Sequence, residues 1–200
     1  SAKPQEIYFT SGATESNNMA ILGVINKYLC PKHGENQKPH IITSNIEHKA
    51  IYEVCSNLED WGVEVTYLPV DNQGMVSPEQ VKNALRKNTN LISIMFANNE
   101  IGTINPIQEI GKIAKTNQIL FHTDAAQAVG KLNINVAELN IDMMSISGHK
   151  FYAPKGIGVL YVRSENPKVD LVPLQFGGSQ EGGLRPGTLN VPCIVGLAKA

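Results

Sequence analysis

Seven short apolar runs rich in β-branched residues recur along the chain, at 7–9, 40–43, 63–67, 91–96, 119–121, 143–146 and 158–162, and helical patterns separate most of them. Each run reads as a β-strand, and seven of them suggest a single sheet. Several are nearly continuous in apolar character instead of alternating, which is the pattern of parallel strands covered by helices on both faces. The expected fold is therefore α/β: three layers, α/β/α, around a mostly parallel seven-stranded sheet.

The intervening helices carry start signals. Ser77-Pro78-Glu79-Gln80 offers a cap, a proline at the first helical position and a Gln three residues after the cap, which predicts a helix from 77 to about 87. Ser44 and Glu47 repeat the S-x-x-E box and predict a helix through Ile51, Val54, Cys55 and Leu58, ending near Trp61-Gly62, with His48 one turn inside it. Pro106 starts a helix whose apolar face is Ile107, Ile110, Ile113 and Ala114, and Gly12-Ala13-Thr14 opens another through Met19, Ile21, Leu22 and Ile25. The polar stretch 31–39 reads as a solvated surface loop. After Val162 the pattern changes: 163–169 is loop-like, and 177–183 is too glycine-rich for the interior of a helix or strand.

Composition narrows the function. The 200 residues carry 17 Lys+Arg against 18 Asp+Glu, a net charge of −1. That leaves no basic field for gripping phosphate backbones, so bulk nucleic-acid binding and polybasic membrane attachment are not expected. No apolar run approaches the roughly 20 residues of a membrane helix, and Ser1-Ala2-Lys3-Pro4 lacks a signal pattern. A cytoplasmic protein is expected. A chain of this length buries on the order of 70 % of its unfolded surface, enough for one core, so residues 1–200 read as one domain or most of one. The missing initiator Met and the helical-looking run at 194–200, which has no stop signal, make it look cut from something longer. Cys30, Cys55 and Cys193 form no CxxC or Cys/His pattern, so they read as small buried apolar residues in a reducing compartment, and no metal site is expected.

In open α/β sheets, ligands sit beyond the carboxyl ends of the strands. Here the residues following the apolar runs are polar: Thr10-Ser11-Gly12-Ala13-Thr14 after the first, Asn98-Asn99-Glu100 after the fourth, His122-Thr123-Asp124 and then Gln127 after the fifth, and Ser147-Gly148-His149-Lys150 after the sixth. The Ser11-Gly12-Ala13-Thr14 turn, with free amides at a helix start, is an anion site suited to phosphate, or else a plain N-cap. It lacks both G-x-G-x-x-G and the G-x-x-x-x-G-K-[ST] loop, which argues against NAD and ATP. Lys150 follows a buried-looking strand, where a desolvated amine can form a Schiff base. Asp124, at a neighbouring strand end, can keep a pyridinium nitrogen protonated. Together they suggest pyridoxal phosphate (PLP), whose electron sink needs both groups. His48 is either a partly exposed helix histidine or a ring stacked on that cofactor.

With these residues in view, the sequence resembles the NifS/IscS-type cysteine desulfurases of the class V aminotransferase family over essentially its whole length. The resemblance rests on residues 10–17, Glu47-His48-Lys49-Ala50, Asn98-Asn99-Glu100-Ile101-Gly102, residues 122–127, Ser147-Gly148-His149-Lys150 and Arg185-Pro186-Gly187-Thr188. It implies an aspartate aminotransferase-like PLP enzyme of fold type I, of which residues 1–200 are the large domain, without an N-terminal segment and a C-terminal small domain. The Lys matching Lys150 then carries the cofactor, Asp124 pairs with the ring nitrogen, and Gln127 bonds the phenolic oxygen. His48 stacks on the ring and assists proton transfer, and Asn99 lies near the ring oxygen and substrate. Ala13, Thr14, Ser147 and His149 hold the phosphate, and Thr188 reaches the phosphate of the other subunit of a homodimer. The implied reaction converts L-cysteine to L-alanine, leaving the sulfur as a persulfide on an enzyme cysteine for an iron–sulfur scaffold or a thiolation acceptor.

The sequence departs from the family in four places. The family's persulfide cysteine and its substrate-carboxylate arginine both lie beyond the Arg-x-Gly-Thr motif, outside these residues, and Cys193 matches neither position. Phe176 stands where many relatives have His, and Pro186 replaces a common Ser. Two other readings are a selenocysteine lyase, which shares these motifs, and a catalytically inactive PLP-fold fragment that only binds.

Overall fold

The computed structural model describes residues 2–29 and 38–200. The elements run β1 (Ile7–Thr10), α1 (Ala13–Leu29), β2 (His40–Ser44), α2 (Lys49–Asp60), β3 (Glu64–Leu68), α3 (Pro78–Asn83), β4 (Thr89–Ser93), α4 (Ile107–Thr116), β5 (Leu120–Asp124), β6 (Met143–Ser147), β7 (Gly158–Val162) and α5 (Val191–Lys199). The seven strands form one sheet in the order β1-β7-β6-β5-β4-β2-β3. Only β7 runs against its neighbours, antiparallel to both β6 and β1. The mostly parallel α/β sheet expected from the apolar runs is thus the fold observed.

Each face of the sheet has its own core, and consecutive residues alternate between them. Ile41, Leu91, Met143 and Leu160 pack with Met19, Ile21, Val24 and Ile25 of α1 and Ile51, Cys55 and Leu58 of α2. Their neighbours Ile42, Ile92, Met144 and Tyr161 pack on the opposite side with Val81 of α3 and Ile107, Ile110 and Ala114 of α4. A strand buried on both faces needs apolar side chains at every position, which is why these runs do not alternate.

Three helix expectations change. α3 ends at Asn83, four residues short of the expected 87, and Ala84 to Lys87 run through turn into β4. Gln80 Oε1 still accepts from the Ser77 amide at 3.3 Å. α2 begins at Lys49, not at the S-x-x-E box. Ser44 is the last residue of β2, and its hydroxyl donates to Glu47 Oε1 at 2.7 Å inside the protein. The N-cap is His48 itself, which is therefore at the mouth of the helix and not a turn inside it. The far end falls as expected at Trp61-Gly62, with Gly62 at φ +87°, a conformation that only glycine adopts freely.

The glycine-rich run contains one short 3-10 turn, Gln180–Gly183, with Glu181 and Gly182 left-handed. The terminal helical run is α5, and none of its residues is buried. Cys55 is buried, as expected, while Cys193 is half-buried on α5. Cys30 and most of the loop at 31–39 lie outside the described residues. Among the described residues, no helix is long and apolar enough to cross a membrane and no cluster of His, Cys, Asp and Glu is arranged to hold a metal ion.

Candidate active site

All parallel strands end at the same edge of the sheet, and a cavity of about 450 Å³ opens there. Of the residues the sequence singles out, Ala13, Thr14, His48, Asn99, Asp124, Gln127, Ser147, His149 and Lys150 all line it. Thr188 does not. It lines a separate hollow of about 240 Å³ with Arg185 and Asn190, on the far side of Ser11 and Gly156, which the two cavities share.

One end of the cavity is built for an anion. β1 delivers the chain to Thr10, whose buried hydroxyl bonds Ser16 Oγ at 2.8 Å and accepts from the Gly12 amide at 3.4 Å, folding the loop onto the first turn of α1. The loop seats directly on β7: a Cβ at Gly158 would lie 2.6 Å from Gly12 Cα. The first amides of α1 have no carbonyl one turn back to bond, and the helix dipole adds partial positive charge at that end. Beside this loop, where Ser147 pairs with Gly158, Ser147 Oγ and His149 Nδ1 lie 3.1 Å apart.

Asp124 closes β5 and is only 6 % exposed. Its Oδ2 accepts from Asn17 Nδ2 at 2.8 Å and its Oδ1 from the Ala126 amide at 2.9 Å. Burial pushes its pKa above the ordinary carboxylate value, against the pull of Ala126, Asn17 and the nearby His48. Such a carboxyl stays ionised most readily when a cation sits on it. Asn17 Oδ1, buried in the same cavity wall, has no hydrogen-bond partner.

His48 Nδ1 accepts from the Ala50 amide at 3.1 Å. That bond leaves Nδ1 unprotonated and assigns the proton of the neutral ring to Nε2. Gln127 Oε1 accepts from Lys131 Nζ at 2.9 Å. Of the two neighbouring asparagines, Asn98 is structural, its Oδ1 accepting from the Glu100 and Ile101 amides at 2.8 and 3.1 Å, and only Asn99 lines the cavity. Lys150 lies in the short 3-10 turn Gly148–Phe151 and is exposed, not desolvated as its strand position had implied: the turn lifts it off the end of β6 into the open cavity. His122, grouped with the strand-end residues by sequence, is not in the site. It is fully buried within the sheet between Ser93 Oγ at 2.8 Å and Ser145 Oγ at 2.9 Å.

Four residues in or beside the site were given no role there by the sequence. Asn17 sits one turn after Ala13 on the same face of α1, a spacing that shows it faces the site. Glu47 looked like a capping residue; its Oε1 in fact takes the Met95 amide at 2.9 Å as well as Ser44, and burial, with the charge of Asp124 adding to it, pushes its pKa up to about 8. The pairing of Glu15 with Arg185, 170 residues apart, carries no local signal at all.

An amine, a buried carboxylate with an unpartnered amide oxygen beside it, and an anion cradle around one cavity at the carboxyl edge of an α/β sheet fit PLP: each polar end of that cofactor meets a group of complementary charge. Residues 1–200 match the aminotransferase class-V family, whose members depend on PLP, and the chain belongs to that family. Among its relatives, the cysteine desulfurase IscS of Methanosarcina thermophila is 58 % identical over 199 residues, 100 % of this chain and 47 % of that protein. The mitochondrial cysteine desulfurase of Candida albicans is 53 % identical over 199 residues, 100 % of this chain and 39 % of its own length. A solved structure described as SspA in complex with cysteine superposes with a TM-score of 0.93 at 52 % identity, covering 99 % of this chain and 55 % of that one. The chain thus spans about half the length of the curated relatives it matches.

Proposed function

We propose that this chain is the PLP-binding large domain of a cysteine desulfurase that takes sulfur from L-cysteine and leaves L-alanine. The observation that carries the reading is the convergence of Lys150, Asp124, Gln127, His48 and the Ala13–Thr14 amides on one cavity. Relatives at 52–58 % identity that are named cysteine desulfurases, or described in complex with cysteine, supply the substrate.

When bound, PLP supplies an electron sink for the substrate's α-carbon. Around it, Lys150 would hold the cofactor through its amine, and that amine would also be the base that moves the α-proton. Asp124 pairs with the ring nitrogen and gains the cationic partner that keeps a buried carboxylate ionised. Gln127, with its carbonyl engaged by Lys131, has its amide NH₂ free for the phenolic oxygen. His48 would lie against the ring and present the protonated Nε2, and Asn99 would border the substrate. Ala13, Thr14, Ser147 and His149 hold the phosphate. Thr188, which lines a separate hollow and not this cavity, would serve the other subunit of a homodimer.

An enzyme cysteine thiolate takes the sulfur as a persulfide, and Cys55 is not that cysteine. Cys55 is sealed in the α2 core, where burial, with the charges of Glu47 and Glu59 adding to it, pushes its thiol up to about 12. From the persulfide, sulfur passes to an acceptor protein such as an iron–sulfur scaffold. We place the enzyme in the cytoplasm, where free thiols persist.

Borohydride reduction of the full-length protein followed by peptide mapping tests the assignment. The pyridoxyl group is expected on Lys150, and finding it on another lysine would overturn the reading.

A further inference from the structure

Glu15 presents a difficulty for a phosphate site. It lies in the first turn of α1 and lines the cavity beside Ala13 and Thr14, at the end where an anion is to be held. A free carboxylate there offsets the positive end of the helix dipole that a phosphate would use and repels the phosphate, and in a partly desolvated cavity that repulsion is poorly screened. The other ionisable groups lining the cavity are Asp124, His48, His149, Lys150 and Lys155.

Arg185 meets this carboxylate directly. Its Nε donates to Glu15 Oε1 at 2.8 Å and its Nη2 approaches Oε2 at 3.5 Å, with both side chains about three-quarters buried. Oε2 also accepts from the Ser11 amide at 2.6 Å. Burial works against ionisation of Glu15, but the Arg185 guanidinium and the Ser11 amide together hold its carboxyl below the ordinary value. The carboxylate is therefore neutralised and fastened to the loop it could otherwise disrupt.

The segment carrying Arg185 is held in place by further contacts. β1 is an edge strand, and Glu181 Oε2 accepts its outward Phe9 amide at 3.2 Å. Gln175 Nε2 donates to the Pro186 carbonyl at 2.7 Å, and the Gly187 amide donates to Gln180 Oε1 at 3.1 Å. The glycine-rich stretch is thus a strap tied to β1 by Glu181 and to α1 by Arg185.

We propose that Arg185 is a positioning residue for the cofactor's phosphate, acting through Glu15: by neutralising that carboxylate and keeping it on the Ser11 amide, it makes the α1 end of the cavity able to accept a dianion. The inference rests on the PLP reading.

The test uses the full-length protein freed of cofactor and titrated with PLP and with pyridoxal, which lacks the phosphate. If the parent protein binds no PLP, the reading of the site fails, and the Arg185 inference falls with it. Given parent binding, Arg185→Gln is expected to weaken PLP by about tenfold or more while changing pyridoxal less than about twofold. Glu15→Gln keeps an oxygen for Ser11 but not the charge, so Glu15→Gln/Arg185→Gln is expected to return to within about threefold of the parent. Arg185→Lys keeps the charge and is expected to bind like the parent. A double variant as weak as Arg185→Gln overturns the inference, since Arg185 would then serve the phosphate without Glu15. Equal loss for PLP and pyridoxal overturns it as well. If Arg185→Gln does not fold, the double variant decides alone, a tenfold loss counting against.

Discussion

His122 and Asp124 are two residues apart on β5, so both point to the α1 side of the sheet, and both are buried. One is inert and the other is the floor of the site. His122 lies where neighbouring strands flank it on both sides, and Ser93 of β4 and Ser145 of β6 take its two ring nitrogens. Asp124 is the last residue of its strand. Beyond it the sheet stops supplying partners, so its bonds come from α1 and from its own next turn, and the rest of its surroundings is cavity. Burial drives both toward their neutral forms, His122 down to about 3 and Asp124 upward. A neutral histidine between two hydroxyls is satisfied; a carboxyl so placed has most to gain from a cationic ligand. Position along the strand, more than residue type, separates structure from function here.

The comparison breaks most visibly at Asp124. Asp124→Ala in the full-length protein removes a charge-assisted hydrogen bond worth roughly 1.5–3 kcal/mol, so turnover of cysteine is expected to fall roughly tenfold to over a hundredfold. The visible spectrum of the bound cofactor is expected to change with it. Unchanged turnover and spectrum would remove Asp124 from the site.

His122→Asn should leave the cofactor spectrum alone and change stability instead. The folded pKa of His122, about 3, lies below the ordinary 6.5, so below pH 6.5 the unfolded chain takes up a proton that the folded chain refuses. That contribution to stability is present above pH 6.5 and is lost as pH falls toward 3, by about 1.4 kcal/mol per pH unit. The variant has no such loss. Its destabilisation relative to the parent is therefore expected to be largest at pH 7 and to shrink by roughly 2–3 kcal/mol at pH 4.5, as read by urea unfolding at the two values. A difference that does not vary with pH would show that the ring takes up its proton as readily in the fold as in the unfolded chain.

Most of the fold could be read from sequence because the apolar runs report burial on both faces, and each core of the sheet takes alternate members of the same runs. The cavity-lining set was legible for a related reason: strand ends are where polar residues interrupt apolar ones. Two kinds of feature were not legible. S-x-x-E at Ser44 and Glu47 has the form of a capping box, but its residues lie at the end of a buried strand, where they bond each other and the Met95 amide in the interior. Local pattern does not reveal which side of a helix start faces water. The Glu15–Arg185 pair joins the two ends of the chain, and no spacing encodes a contact made by folding alone. The exposure of Lys150 belongs with these, since a short turn after β6 reverses what the strand implies.

Glu47 sharpens the comparison from a third position. Like His122 it is buried and held by neighbours; like Asp124 it stands past a strand end, and one of its oxygens, Oε2, has no partner. Its folded pKa of about 8 lies above the ordinary 4.5, so across that window the folded chain keeps a proton that the unfolded chain gives up. The stability this contributes is complete below pH 4.5 and is lost as pH rises toward 8. Gln copies the protonated carboxyl and retains an oxygen for Ser44 and Met95 but cannot ionise. Glu47→Gln is thus expected to match the parent near pH 5 and to exceed it by roughly 3–4 kcal/mol at pH 8, in the opposite pH direction to His122→Asn. A variant no more stable than the parent at pH 8 would show that Glu47 loses its proton in the fold as readily as in the unfolded chain. Because the Asp124 charge adds to burial in raising the Glu47 pKa, Asp124→Asn alone, which keeps Glu47, is expected to move the Glu47 transition to lower pH. A cation held on Asp124 would cancel the same charge, so filling the cavity with one is expected to move the Glu47 transition in that same direction, and the empty and filled cavity would differ at a residue that does not line it.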